Sequence, residues 1–437
     1  MISNSLQDSV LNSDILTSLS SDHSPVLVSF DDTITESKGS SYWKFNSLLL
    51  KNPEICAEII DVIEKTKREF ESIDPQLKWE LVKYKVRCVC INASKRLAKE
   101  KKRRTEFLEN SIDQYENSPL IDTSISPEIY SANKLEFEAL MDEKTNGHIL
   151  RSKTDWYEKG ERSSKFFLSL EKKKAVNNTI KTLIEDENEP ENITKSNEEI
   201  KNCIKKFFTN LFKRKSTKTI ESCKEFLQHQ PLPHLLYVEN EILRKPLTIR
   251  ELELALKNSH NGKSPGNDGL TREFYVVFWR NISDCLYQSL LDGKEKGFLS
   301  HSQRQALIKL LGKKDKDKRY IKNWRPISLI NFDAKLLSKA LAERLKQVLP
   351  TIINHDQTAY IANRFLGESV RLISDVLDIS KTLKIDGFLL TIDIEKAFDS
   401  VDHPFLFATL ETMNFDSYFI DWIKVLLNKQ ESCIFNG

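Results

Sequence analysis

No stretch of this sequence is apolar for long enough to span a bilayer, and its first twenty residues are polar and serine-rich where a secretory signal would carry a hydrophobic core. These absences argue against a helical membrane protein and predict a soluble, intracellular chain. A cysteine framework is missing too. Cys56, Cys88, Cys90, Cys203, Cys223, Cys285 and Cys433 are odd in number and scattered, with no CxxC clip, which speaks against a disulfide scaffold or a zinc clip and fits a reducing compartment. No internal repeat is visible, and net charge is close to nil at +2.

What is present is length, charge and segregation. At 437 residues the chain exceeds one ordinary core and predicts two or three domains. Charged residues make up 30% and hydrophobic ones 39%, a globular composition with a wet surface. The small net charge hides basic runs at 94–104 ("SKRLAKEKKRR"), 171–176 and 313–325, set against the acidic "IEDENEPEN" at 184–192. The "KEKKRR" within the first run reads either as a solvated helix face or as a nuclear-import signal, which would place the chain in nucleus and cytoplasm.

Along the chain, "SPVLVSF" (24–30) alternates like a strand but has no local partner strands. Residues 40–235 read as largely helical. Within them "ILRSKTDWYEKGERSSKFFLSLEKKK" sets Trp156, Tyr157, Phe166 and Phe167 among cations, either as an amphipathic helix or as a surface that follows a nucleic-acid backbone. Thr248 and Glu251 make a capping-box pattern that opens a helix stopped at Asn261 and Gly262. The loop "GKSPGNDGL" (262–270) follows. Further helices are predicted at 271–296, 333–349, 366–383, 404–413 and 417–429, and strands at 305–312, 387–393 and 431–436.

The strand predicted at 387–393 raises a chemical question. In "FLLTIDIEKAFDSV" (388–401) an apolar run ends on Asp393, and an unpaired buried carboxylate is costly. Two readings are open: Asp393 caps a following helix, or it is half of a divalent-metal site, since hard oxygen donors suit magnesium. The stretch "LIKLLGKKDKDKRYIKNWRPISLIN" (307–331) bears on that choice, because Lys313 and Arg325 are candidates to clasp a polyphosphate.

Four blocks in order, "NGKSPGNDGLTREFY", "NWRPISLINFDAKLLSKALAERL", "HDQTAYI" and "TIDIEKAFDSVDHPF", resemble the reverse transcriptase of LINE-type non-LTR retrotransposons over about 240–437. Upstream, "SDHSPV" (21–26) resembles the closing motif of the apurinic-type endonuclease of the same polyproteins, and "YWKFNSLLL" and "DWYEKGERSSKFF" resemble their linker. The resemblance implies a helix-rich α+β fold, an incomplete right-hand polymerase of fingers and the start of a palm. It divides the chain into an endonuclease remnant (1–30), a basic helical linker (31–239) and the reverse transcriptase region (240–437).

By the same resemblance Asp393, with the backbone of Ile394, would bind the Mg2+ ions of a two-metal nucleotidyl transfer. Phe398 would lie under the incoming sugar, and Lys313 and Arg325 would grip the triphosphate. Leu311 and Gly312 stand where the family commonly has isoleucine and proline, a departure at the lysine's doorstep. Gly262, Lys263, Pro265, Gly266, Asp268 and Gly269 match a loop that touches template, and Asp22 and His23 match a vestigial endonuclease pair. The implied partners are an RNA template, a DNA primer or target and deoxynucleoside triphosphates. No later aspartate pair follows Asp393 before "SCIFNG", so the isolated chain is expected not to polymerise, and no nuclease activity is expected. The alternative is a non-catalytic nucleic-acid-binding fragment of a retroelement protein.

Overall fold

The structure, a computed structural model, describes residues 10–15, 26–30, 42–117, 126–152, 179–184, 193–194, 196–214 and 216–436. In chain order, strands β1 (Val10–Ile15) and β2 (Val26–Phe30) precede helices α1 (Pro53–Glu69), α2 (Pro75–Asn117) and α3 (Pro127–Ser152). Short strands β3 (Leu183–Ile184) and β4 (Ile193–Thr194) lead to α4 (Asn197–Phe212), α5 (Ile220–Gln228), α6 (Tyr237–Arg244), α7 (Ile249–Lys257), α8 (Arg272–Lys296) and the one-turn α9 (His301–Arg304). Then come β5 (Gln305–Gly312), β6 (Trp324–Leu329), α10 (Phe332–Ile352), α11 (Leu366–Leu383), α12 (His403–Thr412), α13 (Ser417–Leu427) and β7 (Glu431–Phe435). The chain is helix-rich with a small share of sheet. Its contacts separate two units, one drawn from residues 1–42 and 90–179, the other from 43–89 and 180–436.

In the first unit the strand expected near 24–30 does find a partner. Val26–Phe30 pairs antiparallel with Val10–Ile15, which sequence reading left out because "VLNSDI" carries too many polar residues to announce itself. The distal part of α2 lies along α3 around Leu108, Ile112 and Phe137, with Tyr115 stacked on Tyr130 at 4.2 Å. The basic run of α2 is partly consumed here: Lys101 pairs with Glu143 at 2.7 Å and Arg104 with Glu136 at 2.5 Å.

In the second unit, Asn52 caps α1 by accepting from the amides of Glu54 (2.9 Å) and Ile55 (3.2 Å), and Pro53 occupies the first turn. Ile55, Ile59 and Ile63, four residues apart, form one buried stripe. The box read from Thr248 and Glu251 is formed at α7: the Thr248 hydroxyl accepts from the Glu251 amide at 3.3 Å, and the Glu251 carboxylate accepts from the Thr248 amide at 2.9 Å. The same carboxylate holds buried Arg344 of α10 through contacts of 2.6 and 2.9 Å. Thr248→Ala, which removes one cap acceptor and leaves the arginine pair, is expected to lower stability by about 1 kcal/mol in urea denaturation. A loss under about 0.3 kcal/mol would show that Arg344 alone fixes this end.

The sheet runs in the order β6-β5-β7, antiparallel between β5 and β6 and parallel between β5 and β7. One face buries Ile308, Leu310 and Trp324 against Ile200, Ile204 and Phe208 of α4. Helices at 272–296, 332–352, 366–383, 403–412 and 417–427 and strands at 305–312 and 431–435 follow the expected elements closely. The strand expected at 387–393 is absent. Residues 385–394 have no regular structure, Phe388 is fully exposed, and Leu389, Leu390 and Ile392 are exposed. An apolar run becomes a strand only beside a backbone with free amides and carbonyls, and none of the described residues supplies that edge here. Helix α11 likewise buries none of its residues, although Val370, Ile373, Val376 and Leu377 recur at helical spacing.

Candidate functional site

Antiparallel register decides which cations share a face. Leu311 lies opposite Arg325 and Gly312 opposite Trp324, and the Lys313 amide donates to the Asn323 carbonyl at 2.8 Å. Since Ile308, Leu310 and Trp324 point inward, the alternating positions Lys309, Lys313 and Arg325 point to the other face. Arg325 is thereby diagonal to both lysines. Arg325 is exposed and Lys313 half-buried, and neither has an acidic partner among the described residues. Lys309 was missed in the sequence, where the alternation of "LIKLLGK" was its only signal.

The turn between these strands is stiffened from within. The Trp324 indole donates to the Lys318 carbonyl at 2.8 Å, Asn323 donates to the Asp317 carbonyl at 2.8 Å, and Arg319 pairs with Asp317 at 2.8 Å. The Arg319 guanidinium holds the Asp317 carboxyl below its ordinary range. Arg319 is thus occupied, whereas Lys313 and Arg325 have no acidic partner among the described residues.

The loop 262–270 is divided. Asn261, Gly262, Lys263 and Ser264 are exposed, whereas Pro265, Gly266 and Gly269 are buried. The small residues do permit a close backbone approach, but to this chain itself. A Cβ on Gly266 would overlap Asn331, and one on Gly269, at φ +77°, would overlap Trp43. The Asp268 carboxylate also turns inward, so solvent meets the loop mainly at Gly262, Lys263 and Ser264.

Asp393 is exposed, as are Ile394 and Phe398, and no hydrogen bond to the Asp393 carboxylate is made among the described residues. It therefore caps no helix: residues 395–399 form a turn, and the next helix is opened by Asp402. The Phe398 ring stands edge-on to Tyr360 at 6.0 Å. No hydrogen bond or ion pair joins Asp393 to Arg325. Among the described residues no three His, Cys, Asp or Glu side chains gather as a metal site. The donors as placed do not fit a two-magnesium centre, which needs several oxygen ligands together. What remains is what the chain's own cations can do.

Beside the Asp393 segment lies a cleft of about 410 Å³ lined by Phe212, Arg214, Lys396, Asp399, Asp402 and His403. Arg214 grips Asp402 through contacts of 2.7 and 3.2 Å, and this pairing holds the Asp402 carboxyl below its usual range. Asp22, His23 and the segment 155–167 lie outside the described residues.

Residues 312–437 match the family model described as reverse transcriptase (RNA-dependent DNA polymerase). The chain is 30% identical over 400 residues to the Transposon TX1 uncharacterized 149 kDa protein of Xenopus laevis, covering 90% of this chain and 30% of that protein. It is 24% identical over 226 residues to the probable RNA-directed DNA polymerase from transposon BS of Drosophila melanogaster, 51% of this chain and 24% of that one. With the Pol polyprotein from the type-2 retrotransposable element R2DM, also of Drosophila melanogaster, it shares 25% identity over 206 residues, 45% of this chain and 18% of the relative. The chain thus spans less than a third of the length of each of these relatives.

Proposed function

Because this chain is related to the LINE-type, non-LTR retrotransposon proteins and carries reverse transcriptase sequence, we propose that it contributes to RNA-directed DNA polymerisation as the part that holds nucleotide phosphates and template. The observation that carries this reading is the shared face of Lys313 and Arg325 on the β5–β6 hairpin, with Lys309 beside them. An arginine fork flanked by lysines suits a polyphosphate or a nucleic-acid backbone, and none of the three is paired with an acid among the described residues. Lys263, at the exposed end of the loop 262–270, would meet an RNA template in this reading. Phe398, exposed, is free to lie against a deoxynucleotide sugar.

Asp393 is the acid of this reading, but one carboxylate cannot neutralise two magnesium ions, so donors beyond those gathered here would have to join it. The chain by itself is therefore proposed to bind primer–template and deoxynucleotide without extending the primer. A purely binding role shares the same cations and differs only in this last step. Two measurements separate them.

Filter binding of an RNA–DNA duplex between about 50 and 200 mM salt is expected to show affinity falling steeply with salt. The double variant Lys313→Ala with Arg325→Ala should reduce the log–log slope by about two, about one per lost phosphate contact. An unchanged slope in the double variant would remove the assigned phosphate face. Template-dependent primer extension by the chain alone would overturn the expectation of inactivity while leaving the polymerase reading in place.

A further inference from the structure

We propose that Asp268 is a titratable latch that holds the loop 262–270 onto the junction of β6 and α10, closed while its carboxyl is neutral and released as it ionises. The latch is built from a buried imbalance of charge. The Lys83 ammonium of α2 lies 3.0 Å from Asp333, 3.2 Å from Glu80 and 3.9 Å from Asp268, so one cation faces three carboxylates. Glu80 is partly exposed and has water to help it. Asp333 is buried but well supplied with donors, accepting from the Trp79 indole at 2.7 Å, from Gln303 at 3.3 Å and from the Ala334 amide at 2.7 Å. Asp268 is what is left: its side chain is 7% exposed, one oxygen accepts from the Leu270 amide at 3.0 Å, and the other has no hydrogen-bond partner.

Two further groups face it from other helices. From α8 comes Tyr275, whose hydroxyl is pushed well up by burial and by Asp333 and Asp268 and stays neutral. From α10 comes Lys335, which burial pushes down even as Asp268 pulls it up. Burial raises the Asp268 carboxyl to about 7; Lys83 opposes the rise, and Asp333 and Glu80 add to it. The same residue ties the loop down through its backbone, since its amide donates to the Asn331 side chain at 3.2 Å, and the Gly269 carbonyl next to it accepts from the Phe45 amide at 2.9 Å.

The sign follows from the two states. In an opened loop the carboxyl meets water and returns to an ordinary value of about 3.9. The closed state therefore holds a proton that the open state has lost. Closure is fully favoured below about pH 4, weakens roughly tenfold per pH unit as pH rises, and levels off above about 7. Lys263 is carried by this loop, so the latch would position the template contact of the proposed function, although its test needs no activity.

Hydrogen exchange of the peptide 262–271 in the whole chain, corrected for the intrinsic pH dependence of exchange, reads the opening constant directly. In the wild type it is expected to rise about 50-fold from pH 5 to pH 7 and only about twofold more from 7 to 8. In Asp268→Asn, which keeps the shape of the neutral acid, it should be flat over the whole range. Wild-type and variant profiles of equal slope would overturn the latch. Lys83→Met removes the nearest cation and should move the wild-type plateau to higher pH; an unmoved plateau would remove Lys83 from the device. Because the readout is loop protection, a failed latch and a failed polymerase reading cannot be confused.

Discussion

Lys83→Met is expected to cost the folded chain about 3–5 kcal/mol, the range for leaving one partner of a buried ion pair behind. Lys83 is 4% exposed and Asp333 fully buried. Burial alone would lower the affinity of the lysine for its proton, but Asp333, Glu80 and Asp268 outweigh burial and raise it well above the ordinary lysine value. A group so raised keeps its charge at every pH below its ordinary titration, so its contribution is complete at neutral pH and is lost only in strong alkali. Methionine would fill the space and leave Asp333 with the Trp79 indole, Gln303 and one amide but no counter-charge. Adding Asp333→Asn to Lys83→Met should recover part of the loss, because the uncompensated charge goes with it. Urea denaturation of the four proteins of this cycle measures the coupling. A single-variant loss below about 1 kcal/mol, or a double variant no better than Lys83→Met, would refute a buried charge pair at this position.

Gly269→Ala should be comparably damaging, at about 2–5 kcal/mol, for two separable reasons. At φ +77° any side chain is strained by roughly 1–2 kcal/mol. The added methyl would also meet the Trp43 carbonyl and ring, and relieving that overlap costs about 1–3 kcal/mol more. Gly262 is the internal control. Its φ is +71°, but nothing lies within 4 Å of a Cβ placed there, so Gly262→Ala should show only the strain. The measurement is the difference in denaturation midpoint between the two variants. Equal losses would mean that Trp43 yields freely and that the close approach of the loop to residues 43–45 contributes nothing.

Trp43 and Lys83 both belong to the stretch 43–89, which sits in the same compact unit as 180–436. Sequence patterning reads that stretch as helix but not as the wall against which a loop some 180 residues later is closed, since neither a lone Trp nor a lone Lys signals a partner so distant. Elsewhere local chemistry was enough. Thr248 with Glu251, and Asn52 before Pro53, each open a helix by interactions within a few residues. Lys313 and Arg325 were legible as phosphate candidates by residue type, and the β5–β6 register brought them to one face. Asp393 was legible only as a question. Its segment holds the apolar residues of a strand without a neighbouring strand, so neither the metal reading nor the cap reading is realised in its surroundings.

The amino-acid order by itself determined the capped start of the helix at Thr248, the absence of any long apolar span and the order of blocks that resembles a reverse transcriptase, because capping and local spacing act over a few residues, whereas the stop expected at Asn261 and Gly262 falls past the observed end at Lys257. Only the tertiary structure decided that the small residues of the loop 262–270 admit Asn331 and Trp43, that Lys83 serves Asp333 and leaves Asp268 short of a counter-charge, and that 387–393 is no strand. The physical reason is range: burial, shared counter-charges and sheet edges depend on groups far apart in the chain, and no local pattern records which of them will meet.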